Sequence, residues 1–401
     1  MKVVHLKEYG TSQPVKLSIE QIRALRQFGG KVGLEPSDDE NRFLLRANSW
    51  IGKFVVPGLT VDIAPKIDLK NTLKMYLLGD GEANPILVES MNRIADENDF
   101  WNLVSELLIE TVDSIINNGI KREYIEIDCN SDFVRGQLRI VDDMIQNVPI
   151  RTGTVCRYTE LSPDIPQNQA LLWGLETLCH LVPPDISYRI RFMTKRLAEV
   201  SLPADAPLCD YKAENDYYRT ALFLVKLIKS SLQTCSSTFG LSGFGLMMDM
   251  NKVFEGYCRN QIRSVFSESD IYIPDKSSTA RNLCEHVKLV PDFLIQEGGR
   301  VIAVCDCKYK TNWRFQNADV YQMLAYLEGY SGAKTAMIFH PEDGQRNIVV
   351  DKIDLPRSGR LYRVGLPIEL LMDESVWYQL QKVICELLNV KPTIPPVSLA
   401  S

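Results

Sequence analysis

The spacing of apolar positions changes character near residue 68. Before it, apolar and polar residues alternate. In Trp50–Ile67, WIGKFVVPGLTVDIAPKI, the residues Val61, Ile63 and Ile67 alternate with polar or small ones, and Pro57-Gly58 is a turn pair between two short runs. That pattern predicts strands. Ser18-Ile-Glu-Gln21 has the shape of a capping box and predicts a short helix through Leu25. From Leu69 the spacing becomes helical. Phe100–Ile116, FWNLVSELLIETVDSII, is amphipathic and Gly119 is placed to cap it. A polar, strand-like patch over Tyr124–Arg139 follows. Asn168–Val182 and Tyr217–Leu232 then read as long helices, with the prolines at 183, 184, 203 and 207 expected to break the region between them.

Ser236–Gly245, SSTFGLSGFG, is small and glycine-rich, and a domain boundary is expected near it. Beyond it, Met250–Phe266 predicts a helix with Phe254, Tyr257, Cys258, Ile262 and Phe266 on one apolar stripe and Glu255 at its border. Leu289–Lys310, LVPDFLIQEGGRVIAVCDCKYK, predicts two strands around a turn at Gln296–Arg300. Asn317–Glu328 predicts a helix, and Thr335–His340 a buried strand. The expected fold is α+β and multidomain. Residues 1–120 would be β-rich then helical, 121–240 mostly helical, and 241–401 a small α/β core in the order helix–strand–strand–helix–strand.

Composition narrows the picture. A length of 401 residues fits two or three domains, and 45% apolar with 24% charged residues fits a globular chain. The opening MKVVHLKEYGTSQ is too polar for a signal peptide, and no apolar run is long enough to span a bilayer, so a cytoplasmic protein with no membrane partner is expected. Ten scattered cysteines without a C-x-x-C pair read as reduced core thiols, and four dispersed histidines make a zinc site improbable. A net charge of −6 argues against a chain held on nucleic acid by bulk positive charge. The most basic short window, Tyr188–Arg196, is either a solvated helix face or a contact to DNA or a partner. No G-x-x-x-x-G-K-[ST] loop occurs, so no nucleotide site is recognisable.

The chemistry concentrates in the 289–310 stretch. In a hairpin centred on the two glycines, Asp292 falls opposite residue 305 or 306, where cross-strand neighbours are about 4.5–5.5 Å apart. Asp306 and Lys308 project from one strand face, and Cys305 and Cys307 from the other. Two carboxylates beside a lysine suit Mg²⁺, which takes one or two carboxylates plus waters and a substrate phosphate. Asp292 and Asp306 would hold the metal. Lys308 would position the nucleophile or stabilise the transition state, and Glu255 would assist directly or through water. Gln322 and Tyr326, four apart on one helix face, could reach the lysine or a DNA backbone. Lys310 reads as a surface lysine or a phosphate contact. Structural salt bridges also satisfy the P-D…D-x-K pattern taken alone. Agreement in order, from helix glutamate to acidic hairpin to Q-x-x-x-Y helix, favours metal-dependent nuclease chemistry.

That order resembles the PD-(D/E)xK nuclease superfamily, and the chain as a whole resembles the McrC family, the nuclease subunits of McrBC-type modification-dependent restriction systems. DCKYK is similar to the family's D-A-K-Y-K, and WIGKF…LTVDIAPKI to its V-G-x-I…L-x-I-x-P-K-I. GIKREY at 119–124, Val134-Arg-Gly136, YTELSPDIPQN at 158–168 and GFGLMMDMNKVFE at 243–255 look like family blocks. The resemblance implies a DNA endonuclease subunit that docks through its N-terminal half on an McrB-like AAA+ GTPase hexamer and stimulates it. The partner would bind GTP and read modified cytosine in double-stranded DNA, while this chain cuts with Mg²⁺. Two departures stand out: Cys307 replaces alanine, expected to be tolerated on the far strand face, and Gly256 follows Glu255, expected to loosen that helical turn. The rival readings are a standalone Mg²⁺ nuclease and a non-catalytic AAA+ regulator with a vestigial nuclease fold.

Overall fold

The structure is a computed structural model that describes residues 2–38, 42–79, 90–91, 99–147, 153–209, 214, 216–237, 240–330, 332–356 and 359–391. The chain divides into two compact units, one made of Met1–Asn84 with Gln233–Ser401 and the other of Pro85–Leu232. These units do not follow the three consecutive stretches read from the sequence. The strand-rich first segment shares a unit with the last third of the chain.

The first unit opens with β1 (Lys2–Lys7), β2 (Val15–Lys16), α1 (Ile19–Gln27), β3 (Val32–Pro36), β4 (Arg42–Ala47), β5 (Trp50–Val56), β6 (Leu59–Ala64) and α2 (Leu69–Gly79). The capping box forms as its spacing predicts: Ser18 accepts from the Gln21 N–H, and Gln21 returns the bond to the Ser18 N–H. β5 and β6 are the antiparallel pair around Pro57-Gly58, and β1 runs parallel to β6. Leu45, Phe54, Leu59 and Val61 close the core between these strands and α1.

The second unit holds α3 (Phe100–Asn118), β7 (Glu123–Ser131), β8 (Gln137–Leu138), α4 (Ile140–Gln146), β9 (Thr154–Ser162), α5 (Pro166–Cys179), α6 (Pro184–Arg196) and α7 (Asp216–Ser231). Asp99 caps α3 at its start and Gly119 ends it. The strands form a small antiparallel sheet in the order β7-β9-β8. Pro183 and Pro184 do not break the chain here. Pro184 is the first residue of α6, where its missing N–H costs nothing. The basic window lies on that helix, with Arg189 2.6 Å from Glu106 and Arg196 paired with Asp113, both on α3. Buried Asn168 fastens α5 by donating to the Pro163 and Lys121 carbonyls while accepting from Tyr218.

The chain then re-enters the first unit through β10 (Leu232–Ser237) and β11 (Gly240–Asp249). The glycine-rich stretch expected to be a linker is therefore strand: β11 pairs antiparallel with β5 and completes the sheet β1-β6-β5-β11-β10. Next come α8 (Met250–Val265), β12 (Ile271–Tyr272), β13 (Arg281–Cys284), β14 (Val287–Leu289), β15 (Phe293–Glu297), β16 (Arg300–Cys307), α9 (Asn317–Gly329), β17 (Thr335–Glu342), β18 (Val349–Asp354), β19 (Arg360–Pro367) and α10 (Glu374–Leu388). A six-stranded sheet runs β12-β15-β16-β17-β19-β18, with β16, β17 and β19 mutually parallel. Parallel strands need a crossover, and α9 supplies the one between β16 and β17. α8 is unbroken through Gly256, which corrects the expectation of a loosened turn. A Cβ on Gly256 would lie 3.2 Å from the Gly79 carbonyl, so the glycine lets α8 and α2 approach closely.

Candidate functional site

The acidic hairpin forms as its glycines dictate. Gly298 and Gly299 both have positive φ, 54° and 79°, the requirement of a tight two-residue turn. Phe293 then pairs with Cys305, and the Asp292 N–H donates to the Cys305 carbonyl at 3.1 Å, so Asp292 sits beside Asp306 at the end of the pair. The Cys307 N–H donates to Asp292 Oδ2 at 2.7 Å and fixes that carboxylate. Lys308 continues the parallel ladder, its N–H donating to the Phe339 carbonyl.

Side chains complete the cluster. Lys308 Nζ lies 2.9 Å from Asp306 Oδ2, 3.1 Å from Gln322 Oε1 and 3.3 Å from Asp319 Oδ1. Gln322 donates to Asp306 Oδ1 at 3.3 Å and to the Tyr326 hydroxyl at 2.8 Å. Tyr326 donates to the Val290 carbonyl and is buried, so it braces the hairpin. Of the two roles open to Gln322, contact with the lysine is the one seen; Tyr326 touches Gln322 instead. Lys310 is exposed on the wall of the cleft. Glu255, on α8, faces Lys276 at 2.6 Å, and Lys276 in turn reaches Asp292 Oδ1 at 3.3 Å.

Sequence reading missed Lys276 and Asp319. Lys276 stands on a single 3₁₀ turn (Lys276–Ser278) with no periodicity to mark it. Asp319 could have been found, since it lies three residues before Gln322 on α9. Sequence also gave no sign that the first strands line this cleft. Its volume is about 560 Å³, and Tyr9, Asn48 and Ser49 form part of its wall. The DCKYK tyrosine is held by the same segment: Lys66 donates to the Tyr309 carbonyl at 3.1 Å and lies over its ring at 3.6 Å. Burial pushes the Lys66 ammonium down to about 8 and the nearby Glu8 carboxyl up to about 7.

The acids of the cleft are electrostatically crowded. Burial, then the charge of Asp292, pushes Asp306 up to about 6, and the same two causes push Glu255 up to about 6. Asp306 is 4% exposed, yet its Oδ2 accepts no hydrogen bond: Lys308 is within ion-pair distance but not in hydrogen-bonding geometry. A buried carboxylate oxygen left so is costly unless a cation meets it. This orphan oxygen, beside a second aspartate, fits a hard divalent cation. Among the described residues, however, no three His, Cys, Asp or Glu side chains are grouped closely enough to hold one. Two carboxylates with waters and a phosphate suffice for Mg²⁺. The described cysteines are free, and burial pushes the Cys305 thiol well up, so no thiolate nucleophile is on offer.

A second charged cluster lies on the same sheet. Arg363, buried on β19, donates to His340 Nε2 at 2.8 Å and bonds Glu342 and Asp351 through its terminal nitrogens. His340 Nε2 therefore accepts, and its Nδ1–H faces the Pro341 carbonyl. Burial pushes His340 down to about 4. Desolvation alone would raise Glu342, but hydrogen bonds from Arg363 and Arg314 outweigh it and hold the carboxyl below its ordinary range.

A mixed α/β chain with a cleft of carboxylates and lysines belongs to a class whose chemistry runs on charge and hard cations rather than on thiols or imidazoles. The chain belongs to the McrBC family: residues 45–341 match the family model described as McrBC 5-methylcytosine restriction system component. A comparison with curated proteins gave no match. Among solved structures, the chain is similar to one in the refined half-complex from the tetradecameric assembly of Thermococcus gammatolerans McrB AAA+ hexamers with bound McrC. That likeness covers 95% of this chain and 100% of the other at 14% identity, with a TM-score of 0.63, and shows a shared fold. A cryo-EM structure of the Thermococcus gammatolerans McrBC complex is similar over 67% of this chain and 89% of the other, at 15% identity and a TM-score of 0.43. Among the described residues no helix is long and apolar enough to cross a membrane.

Proposed function

We propose that this protein is the DNA-cleaving subunit of a GTP-driven restriction complex directed at modified cytosine, with a C-terminal PD-(D/E)xK nuclease core. The carrying observation is the convergence of Asp292, Asp306 and Lys308 around an orphan carboxylate oxygen, in a member of the McrBC family. Asp292 and Asp306 would hold Mg²⁺, which when bound supplies a water of lowered pKa and neutralises charge on the scissile phosphate. Lys308, steadied by Asp319 and Gln322, presents a fixed ammonium beside Asp306 for the nucleophile or the transferring phosphate. Gln322 and Tyr326 keep Asp306 and the hairpin in register. Lys310, on the cleft wall, is placed to meet a DNA phosphate.

The partner is an McrB-like AAA+ GTPase hexamer in the cytoplasm, which binds GTP and reads the modification. The absence of a phosphate loop from this sequence agrees with that division. So does the apolar surface of the second unit, where Ile140, Val141, Met144 and Ile145 on α4 are all more than 60% exposed. The test is reconstitution with the partner, GTP and methylated DNA. Asp306→Ala should abolish cleavage and keep GTPase stimulation; a variant that still cuts overturns the assignment. The lack of a third acid favours a non-catalytic regulator instead, and wild-type protein that stimulates GTP hydrolysis without cutting would establish that reading.

A further inference from the structure

Lys276 is the charged residue of the cleft that this chemistry leaves without a task. Its ammonium bridges Glu255 Oε1 at 2.6 Å and Asp292 Oδ1 at 3.3 Å. Opposed carboxylates bridged by a point charge are what a divalent cation would otherwise join. The bridge also accounts for the missing third acid, since Glu255 is turned to the lysine. We propose that Lys276 is an internal counter-ion standing in for a divalent cation between Glu255 and Asp292, and that cation binding requires its withdrawal. The inference rests on the metal-dependent reading above.

The surroundings permit that movement. The turn carrying Lys276 is fastened: Thr279 donates through its hydroxyl to the Lys276 carbonyl at 2.8 Å and to the Pro291 carbonyl at 3.1 Å. Its backbone is thus tied to the residue preceding Asp292, and the moving part is the side chain alone. That side chain is 40% exposed, so its four-carbon stem can swing into solvent. Lys308 is built the other way. It is 23% exposed and gripped by Asp306, Asp319 and Gln322 together. One lysine is placed to stay and the other to leave.

The test measures Mn²⁺ binding to the full chain by titration calorimetry and by loss of the free-ion EPR signal. Removing a half-exposed competing ion pair should tighten binding about five- to tenfold in Lys276→Met. Lys276→Arg, which keeps the charge, should stay near wild type. Lys252→Met removes another lysine of the same cleft wall and should also stay near wild type. Should Lys276→Met fail to fold, Lys276→Gln carries the comparison with the same expected gain. Equal affinity of wild type and the Lys276 variant overturns the counter-ion role and leaves the metal site standing, as does an equal gain in Lys252→Met. No binding by any of these proteins overturns both.

Discussion

Two charged clusters share the six-stranded sheet and are built on opposite principles. Around Arg363, buried charges are matched: the guanidinium meets two carboxylates and an imidazole, and Glu342 is held ionised. Around Asp306, buried charges are mismatched: acids crowd one another, are pushed up, and leave an oxygen without a hydrogen bond. A matched cluster holds strands together. A mismatched one stores a demand for a cation, which is how chemistry is kept ready in a fold. Burial alone does not separate the two, since Arg363 and Asp306 are both almost fully covered.

The widest separation should appear in activity. Asp306→Ala is expected to lower DNA cleavage by about three orders of magnitude or more while leaving the fold as stable as wild type or more so. Marked loss of stability in that variant would place Asp306 with the structural cluster. Arg363→Met should do the reverse, costing about 3–5 kcal/mol by leaving Glu342 buried and unpaired, read by urea unfolding; a cost below about 1 kcal/mol would end the distinction.

Proton linkage gives a finer measure. Asp306 and Glu255 have folded-state pKa values of about 6, above their ordinary 3.8 and 4.5. Between those limits the folded protein holds more protons than the unfolded chain, so these two carboxyls stabilise it in acid. That contribution drains away as pH rises from about 4 to about 6 and is flat above. For Asp306 it is on the order of 2 kcal/mol. Unfolding of metal-free protein across this range should show a reduced slope in Asp306→Asn, and an unchanged slope would contradict the crowding. The smallest effect belongs to Tyr326→Phe, expected to cost about 1 kcal/mol of stability with cleavage little changed, because Tyr326 braces the hairpin from a satisfied position. A large loss of cleavage there would move it into the reacting group.

Much of this cleft could be read before any coordinates, because its parts are local. A glycine pair fixes the hairpin register, strand alternation turns Asp306 and Lys308 together, and the four-residue spacing sets Gln322 against Tyr326. What escaped is carried by irregular or distant segments. Lys276 stands on one short turn, Lys66 reaches Tyr309 across more than two hundred residues, and Arg363 meets His340 through parallel strands whose pairing no local pattern announces. Composition misled twice. The glycine and serine of 236–245 hid a strand of the first sheet, and the paired prolines at 183 and 184 open a helix rather than interrupt one.

The strand order of the first sheet sets a timetable for synthesis. β5 leaves the ribosome early, but its neighbour β11 follows only after the whole of Pro85–Leu232 has been made, and the acid-bearing strands β15 and β16 come later still. Lys66 therefore waits for Tyr309 through most of translation. The intervening unit has time to collapse on its own helices first. The cleft is assembled near the end, so an unfinished chain cannot carry it.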